Sequence, residues 1–366
     1  MKQITAELYA WSHYELDRRL DVNGHYVQDG PREAGVLIDP VPFAEGDEAH
    51  LRDLGGAAAV VLTGAGRAPG AARCARTLGC PVLAPRAVWE ALGRPNDIRP
   101  FDAGAALPSG IHAVDVPGAP PPGEVALFHP PSRTLVVGSV LVGVPAGQLR
   151  LASAASGNGA TAARAARGLR ALLAFRSARL LLGEGDSLLH EPVRALQDLV
   201  YRHDPAACLL RPEEAYWQGP RVAGTRYSLR SAEGARLLGL TAIDFEWSAI
   251  APGCQNYPLH RHDGSEEVFV VLAGEGELRT ETDVFPIRVG DVLGFPPRYQ
   301  VAHSIRNTGT AELRLLAIGS PGAERLEMID YPASGQRAES AAFGKQRRFF
   351  LPERVNVGYW EGTPTD

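Results

Sequence analysis

Cysteine is scarce in this 366-residue sequence: there are four, Cys74, Cys80, Cys208 and Cys254, and no two stand as a C-x-x-C pair. That argues against both a disulfide framework and a thiolate zinc site. An excess of one charge is missing too, because 37 Lys and Arg are mixed with 42 Asp and Glu for a net charge of −5. A nucleic-acid-binding surface needs a basic excess, so no nucleic-acid partner is expected. No apolar run approaches the roughly 18–20 residues of a membrane span. The start, MKQITAELYAWSHYELDRR, has neither an apolar signal core nor a cleavage pattern. These absences point to a cytoplasmic protein without a membrane partner. What is plentiful is glycine (40) and proline (29), which favours many turns and short strands over long bundles. Hydrophobic residues at 45% and charged ones at 22% are ordinary for a globular chain, and the length suits two domains.

The first two hundred residues alternate strand-like and helix-like segments. GVLID (35–39), AAVVLT (58–63) and TLVVGSVLVG (134–143) read as buried strands. APGAARCARTLG, GATAARAARGLRALLAF and the stretch after GEGDSLLHE (183–191) carry helical spacing. An α/β layered domain over 1–205 follows. From about 209 the pattern changes to short strands between closely spaced turns: TAIDFEWSAI (241–250), EEVFVVLAG (266–274), GELRTET (276–282), QVAHSI (300–305) and ELRLLAIG (312–319). That is the pattern of an all-β barrel, here over 209–335, with RPEEAYWQGPRVAGTRY (211–227) as a linker or lead-in strand. Residues 336–366, with the basic run KQRR (345–348), read as an extended tail.

The segment with the most chemistry starts at Pro258. His260 and His262 stand two apart, so on an extended chain both rings point to one face. After the Asp263-Gly264 turn, Glu267, Phe269 and Val271 share a face of the next strand, while Glu266 points away. His303, in a later strand, can bring a third imidazole to the same point. Three imidazoles and a carboxylate form a nitrogen–oxygen set suited to one divalent Fe, Mn, Ni, Zn, Co or Cu ion per chain. Four protein donors on an octahedral ion leave positions open for a small ligand.

These residues resemble the cupin superfamily. His260, His262, Glu267 and Gly274 match H-x-H-x(3,4)-E-x(6)-G, and Gly290, Pro296, His303 and Asn307 follow G-x(5)-P-x-G-x(2)-H-x(3)-N. Gly253 precedes the first histidine by seven positions rather than six. Arg298 replaces the glycine after the proline, and the gap to His303 is two residues longer. The resemblance implies a jelly-roll barrel with the metal held by His260, His262, Glu267 and His303, and Asn307 tying a turn. Tyr257, Phe269, Val271, Phe295 and Arg298 become candidates for the substrate pocket. Cupins commonly pair through exposed strands and exchanged tails, so a homodimer is expected, with Tyr359-Trp360 as a clasp.

The N-terminal domain resembles the metallo-β-lactamase fold, an αββα sandwich, through NGHYV (23–27), VLIDP (36–40), VVLT (60–63), VDVPG (114–118), TLVVGS (134–139) and LLGEG (181–185). It departs from that family at each metal ligand. Gly64-Ala65-Gly66-Arg67-Ala68-Pro69 stands where the family has H-x-H-x-D-H. Pro117-Gly118-Ala119 replaces P-G-H, Gly138-Ser139 replaces G-D, and Gly183-Glu184-Gly185 replaces G-H-G. Hydrolysis on this fold needs a metal-bound hydroxide, so this degenerate domain is expected not to be a metallo-hydrolase. Gly64 and Gly66 also loosely fit G-x-G-x-x-G, but Pro69 occupies the third glycine position and no acid ends PVLAP (81–85).

Two functions follow from these readings. One is a metal-dependent dioxygenase- or isomerase-type enzyme acting on a small oxygen-bearing substrate. The other is a small-molecule-binding or sensory protein that uses the same metal site. No catalytic residue is assigned beyond the ligands.

Overall fold

The computed structural model describes residues 1–28, 30–120, 123–152, 157–320, 326–341 and 345–347. The chain divides into two compact units, Met1–Cys208 and Leu209–Asp366. Among the described residues no helix is long and apolar enough to cross a membrane.

The first unit is built on two mixed sheets. One runs in chain order through Lys2–Gln3, Leu8–Glu15, Leu20–Val27, Gly35–Ile38, Ala57–Val61, Val82–Pro85 and Ile98–Phe101, antiparallel up to Gly35–Ile38 and parallel beyond it. The other has the order Arg179–Leu182, Thr134–Val137, Val125–His129, His112–Asp115. Leu8, Val27, Val36, Ile38 and Val61 of the first sheet pack with Val125, Leu127, Val136 and Leu181 of the second. The opposite face of the first sheet takes Leu51, Ala71, Ala75 and Val88 from the helices Asp47–Asp53, Ala68–Leu78 and Arg86–Ala91. The expected long strand 134–143 is broken into Thr134–Val137 and Leu141–Val142. Its amides at Ser139 and Val140 turn to the Glu124 carboxylate, which draws them away from any sheet partner.

The Pro117-Gly118 turn lies against the helix Gly159–Arg170, and a Cβ on Gly168 would sit 1.7 Å from the Pro117 carbonyl oxygen. Glycine inside a helix ordinarily costs about 1 kcal/mol relative to alanine. Here the sign reverses: Gly168→Ala should destabilise this unit by about 1–3 kcal/mol through overpacking. A lower melting temperature would show it; an unchanged or raised one would contradict it.

The second unit is almost wholly antiparallel. Its largest sheet has the order Trp217–Ala223, Tyr227–Glu233, Asp244–Ile250, Leu313–Ser320, Glu266–Ala273, Val292–Phe295. A second sheet pairs Val284–Arg288, Glu275–Arg279 and Ser304–Asn307. Leu229, Ile250, Phe269, Val271, Ile287, Phe295, Ile305, Leu313 and Leu315 form the core enclosed by these sheets. Gly274 ends its strand at φ +83, a left-handed backbone that disfavours any side chain. The backbone from 336 to 341 is not an extended tail. It pairs antiparallel with Leu326–Tyr331 after a turn through Ser334, and Lys345–Arg347 pairs in turn with Gln336–Ala341. Edge amides and carbonyls of Leu326–Tyr331 would otherwise lack partners. Tyr359 and Trp360, the expected clasp, lie outside the described residues.

Candidate metal centre

Three separate strand ends bring the donors together. His260 and His303 form an antiparallel bridge, His260 N–H to His303 O at 3.1 Å and His303 N–H to His260 O at 2.8 Å, which sets the two imidazoles side by side. His303 therefore precedes the strand Ser304–Asn307 instead of lying within it, because Pro297–Tyr299 form a helical turn and Gln300 takes φ +53. His262 follows on the short strand Arg261–His262, which pairs with Leu326–Tyr331. Glu267 comes from the strand Glu266–Ala273, opposite Phe295.

One donor atom from each of His260, His262, Glu267 and His303 lies within 4.8 Å of every other. His303 Nε2 is 2.8 Å from Glu267 Oε2, and His262 Nε2 is 3.5 Å from the same oxygen. His260 Nδ1 stands 2.9 Å from the Pro258 carbonyl, which can only accept, so that nitrogen carries the proton and Nε2 keeps its lone pair. The Val301 carbonyl lies 3.3 Å from His303 Nδ1, while His303 Nε2 is turned to the Glu267 carboxylate. Burial, reinforced by His303 and His262, lowers the His260 imidazole to about 3, which keeps it neutral. Burial alone would raise the Glu267 carboxyl. Hydrogen bonds from His262 and His303 outweigh that and hold it well below the usual carboxylate range. A neutral imidazole with a directed lone pair at His260 and an ionised carboxylate at Glu267 are in the form that binds a divalent ion, and two further imidazoles stand beside them, so the donor set fits one.

The surroundings differ from the expected pocket in part. Phe295 stacks on His303, centroids 3.6 Å apart and planes 13° apart, and Tyr257 meets His260 edge-on at 6.0 Å. Phe269 and Val271 are core side chains, 2% and 1% exposed, so they form the floor beneath the cluster and offer a ligand almost no surface. Arg298 is exposed, with its guanidinium 5.7 Å from the Tyr299 ring. Asn307 ties a turn as expected: its amide donates to Ile250 O and Ala311 O and accepts from Gly309 N–H. Sequence reasoning passed over Tyr331, stacked 6.0 Å from His260. It also passed over Ser231, Glu246 and Ser248 on the large sheet. The signal available for the last two was their phase with Ile250, a core residue of the same strand.

In the first unit, the stretches that replaced the family's ligands meet each other. Arg67 donates to the Gly183 carbonyl at 3.2 Å and pairs with Glu15 at 3.4 Å. Glu184 is ion-paired with Arg18. Thr63 donates to Asp39, and a Cβ on Gly138 would lie 2.1 Å from Thr63 Oγ1. An arginine and its partners thus occupy this convergence.

Comparison with known proteins agrees with both folds. The family model of the metallo-beta-lactamase superfamily matches residues 1–202, and that of the cupin domain matches residues 247–319. An uncharacterized protein of Methanocaldococcus jannaschii is 33% identical over 73 residues, 20% of this chain and 57% of that protein. The oxalate-binding protein of Thermotoga maritima is 33% identical over 103 residues, 27% of this chain and 83% of that one. The structure of a sugar phosphate isomerase of the cupin superfamily from Silicibacter pomeroyi is 20% identical, covers 38% of this chain and 92% of its own, and has a TM-score of 0.34. The chain therefore belongs to the metallo-beta-lactamase superfamily through its N-terminal region and carries a cupin domain in its C-terminal one.

Proposed function

We propose that the cupin domain binds one divalent transition metal ion through His260, His262, Glu267 and His303 and takes a small oxygen-bearing molecule as its substrate, in chemistry of the dioxygenase or isomerase type. The observation that carries this reading is the mutual approach of the four donor atoms to within 4.8 Å. When bound, such an ion acts as a Lewis acid that polarises a coordinated oxygen. The protein's own part is orientation: the Pro258 carbonyl fixes the His260 tautomer, Phe295 holds the His303 plane, and Tyr257 limits the space beside His260. The Thermotoga relative is named for binding oxalate, which supports a small-molecule ligand here.

We place the two domains at 1–205 and 209–335, consistent with the division at Cys208. We read the first as non-hydrolytic, since Arg67 stands where the family's imidazoles would be. The same feature favours the second reading, a ligand-binding or sensory protein, because one domain has then given up its chemistry. The partner proposed is a second copy of the chain.

Elemental analysis of protein purified without added metal tests the site. About one divalent ion per chain is expected, with none retained beyond it. Protein that binds no divalent ion, even when supplied in excess, would remove the reading. Oxygen uptake or substrate turnover by the loaded protein then separates enzyme from sensor.

A further inference from the structure

Along the strand Asp244–Ile250, Ile250 faces the core, so Ser248 and Glu246 point inward on the same side. On the neighbouring strand, Leu229 also lies in the core, and Ser231 follows in phase. Register places Leu229 opposite Ile250 and Ser231 opposite Ser248. The Ser248 hydroxyl donates to Glu246 Oε1 at 3.2 Å, and Ser231 also hydrogen-bonds that carboxylate. Both serines are nearly wholly buried, at 3% and 4% exposure, whereas Glu246 is only half-buried.

The strand between this group and the metal donors is Leu313–Ser320. Its Ala317 stands opposite both Glu246 and Phe269, and its Gly319 stands opposite both Asp244 and Glu267. Adjacent strands are about 4.8 Å apart, so the backbones of Glu246 and Phe269 are roughly 10 Å apart. Alanine and glycine put the least bulk of any residues on that interval, and both are partly exposed. Tyr257 borders it, since its phenol feels the charge of both Glu246 and Glu267. Among other charged neighbours, Glu233 is answered by Arg236 at 3.2 Å, Asp244 adds negative charge, and the exposed Arg221 adds positive.

We propose that Glu246, Ser231 and Ser248 form a ligand subsite facing the metal donors across this gap, and that it takes an uncharged hydroxyl group at the far end of a short, metal-chelating hydroxy compound. A carboxylate at that end would meet Glu246 and be rejected, so dicarboxylates are disfavoured. This inference rests on the metal-centre reading above. Burial raises the Glu246 carboxyl, while Arg221, Ser248 and Ser231 favour its charged form. Hydrogen bonds to a charged acceptor are among the stronger ones, and rejection of a like charge is stronger still in a partly enclosed site.

The test uses the full chain loaded with cobalt(II), whose visible bands report binding without turnover. Lactate, glycerate and malate present one α-hydroxycarboxylate head with a methyl, a hydroxymethyl or a carboxymethyl tail. The wild-type protein should bind glycerate about tenfold more tightly than lactate, and malate most weakly. Glu246→Gln should strengthen malate about tenfold while leaving lactate unchanged, and Ser231→Ala should cut the advantage of glycerate over lactate. Malate binding as tightly as glycerate, no perturbation by any of the three, or an equal shift of all three in both variants would overturn the subsite. If Glu246→Gln does not fold, Ser231→Ala alone carries the comparison. Absence of cobalt binding would instead overturn the metal centre, and the subsite with it.

Discussion

Replacing His303 by alanine should lower the affinity of the cupin domain for divalent metal by at least about a hundredfold. Losing only an outer hydrogen-bonding partner of a ligand typically costs 10–100-fold, and here a donor itself is lost. His303 is fully buried, touches Glu267 at 2.8 Å and stacks on Phe295 at 3.6 Å. Its removal therefore also leaves a cavity beside Phe295 and takes a partner from a carboxylate. A stability loss of about 2–4 kcal/mol follows from those two effects. His303→Gln, which keeps bulk and a polar end, should recover much of the stability and little of the affinity. Metal titration of both variants beside thermal unfolding separates the effects. Full metal content in His303→Ala would contradict the four-donor site.

The second large effect belongs to the first unit and depends on pH. Burial pushes the Glu124 carboxyl up to about 7, with the charge of Asp39 adding to the rise and the amides of Ser139, Val140 and Gly138 opposing it. Asp39 is itself raised by burial, although Thr63 and the nearby Arg67 favour its charged form. In the unfolded chain a glutamate titrates near its ordinary value of about 4.3. Between that value and about 7 the folded state holds a proton that the unfolded state has lost. Stability must then fall as pH rises through this window, by about 4 kcal/mol at roughly 1.4 kcal/mol per unit. This group's contribution is fully present below the window and fully lost above it.

Urea unfolding at pH 5 and pH 8, followed by hydrogen exchange in Val125–His129 and Thr134–Val137, reads this difference. Glu124→Gln should be nearly flat across the same range. It should also be less stable than wild type at pH 5, because the two amides address different oxygens and a carboxamide accepts at only one. Equal midpoints at the two pH values in the wild-type unit would contradict the protonated carboxyl.

Local pattern carried much of the site. Two histidines at i and i+2 on extended chain face one way whatever the fold, and Glu267, Phe269 and Val271 alternate with solvated Glu266 as strand geometry requires. Alternation alone does not tell the inward face elsewhere. In Asp244–Ile250 the large apolar side chains Phe245 and Trp247 mark one face, which invites the reading that Glu246 points to solvent. Yet Ile250, Ser248 and Glu246 share the inward face, because the enclosed space at that end is lined by polar groups. The break at Gly138 was equally hidden, since a buried glutamate just ahead of the strand Val125–His129 captures the amides that would have continued the sheet.

The amino-acid order by itself determined that one half alternates strands and helices without the histidines of its family, and that the other holds imidazoles and an acid at strand-compatible intervals. These depend on interactions within a few residues, where backbone geometry leaves little choice. Only the tertiary structure decided that His303 lies beside His260, that Arg67 reaches Gly183, and that Ala317 and Gly319 stand between Glu246 and Asp244 on one side and Phe269 and Glu267 on the other. Register between strands distant in the chain is selected by how whole faces pack, and no short stretch of sequence contains that information.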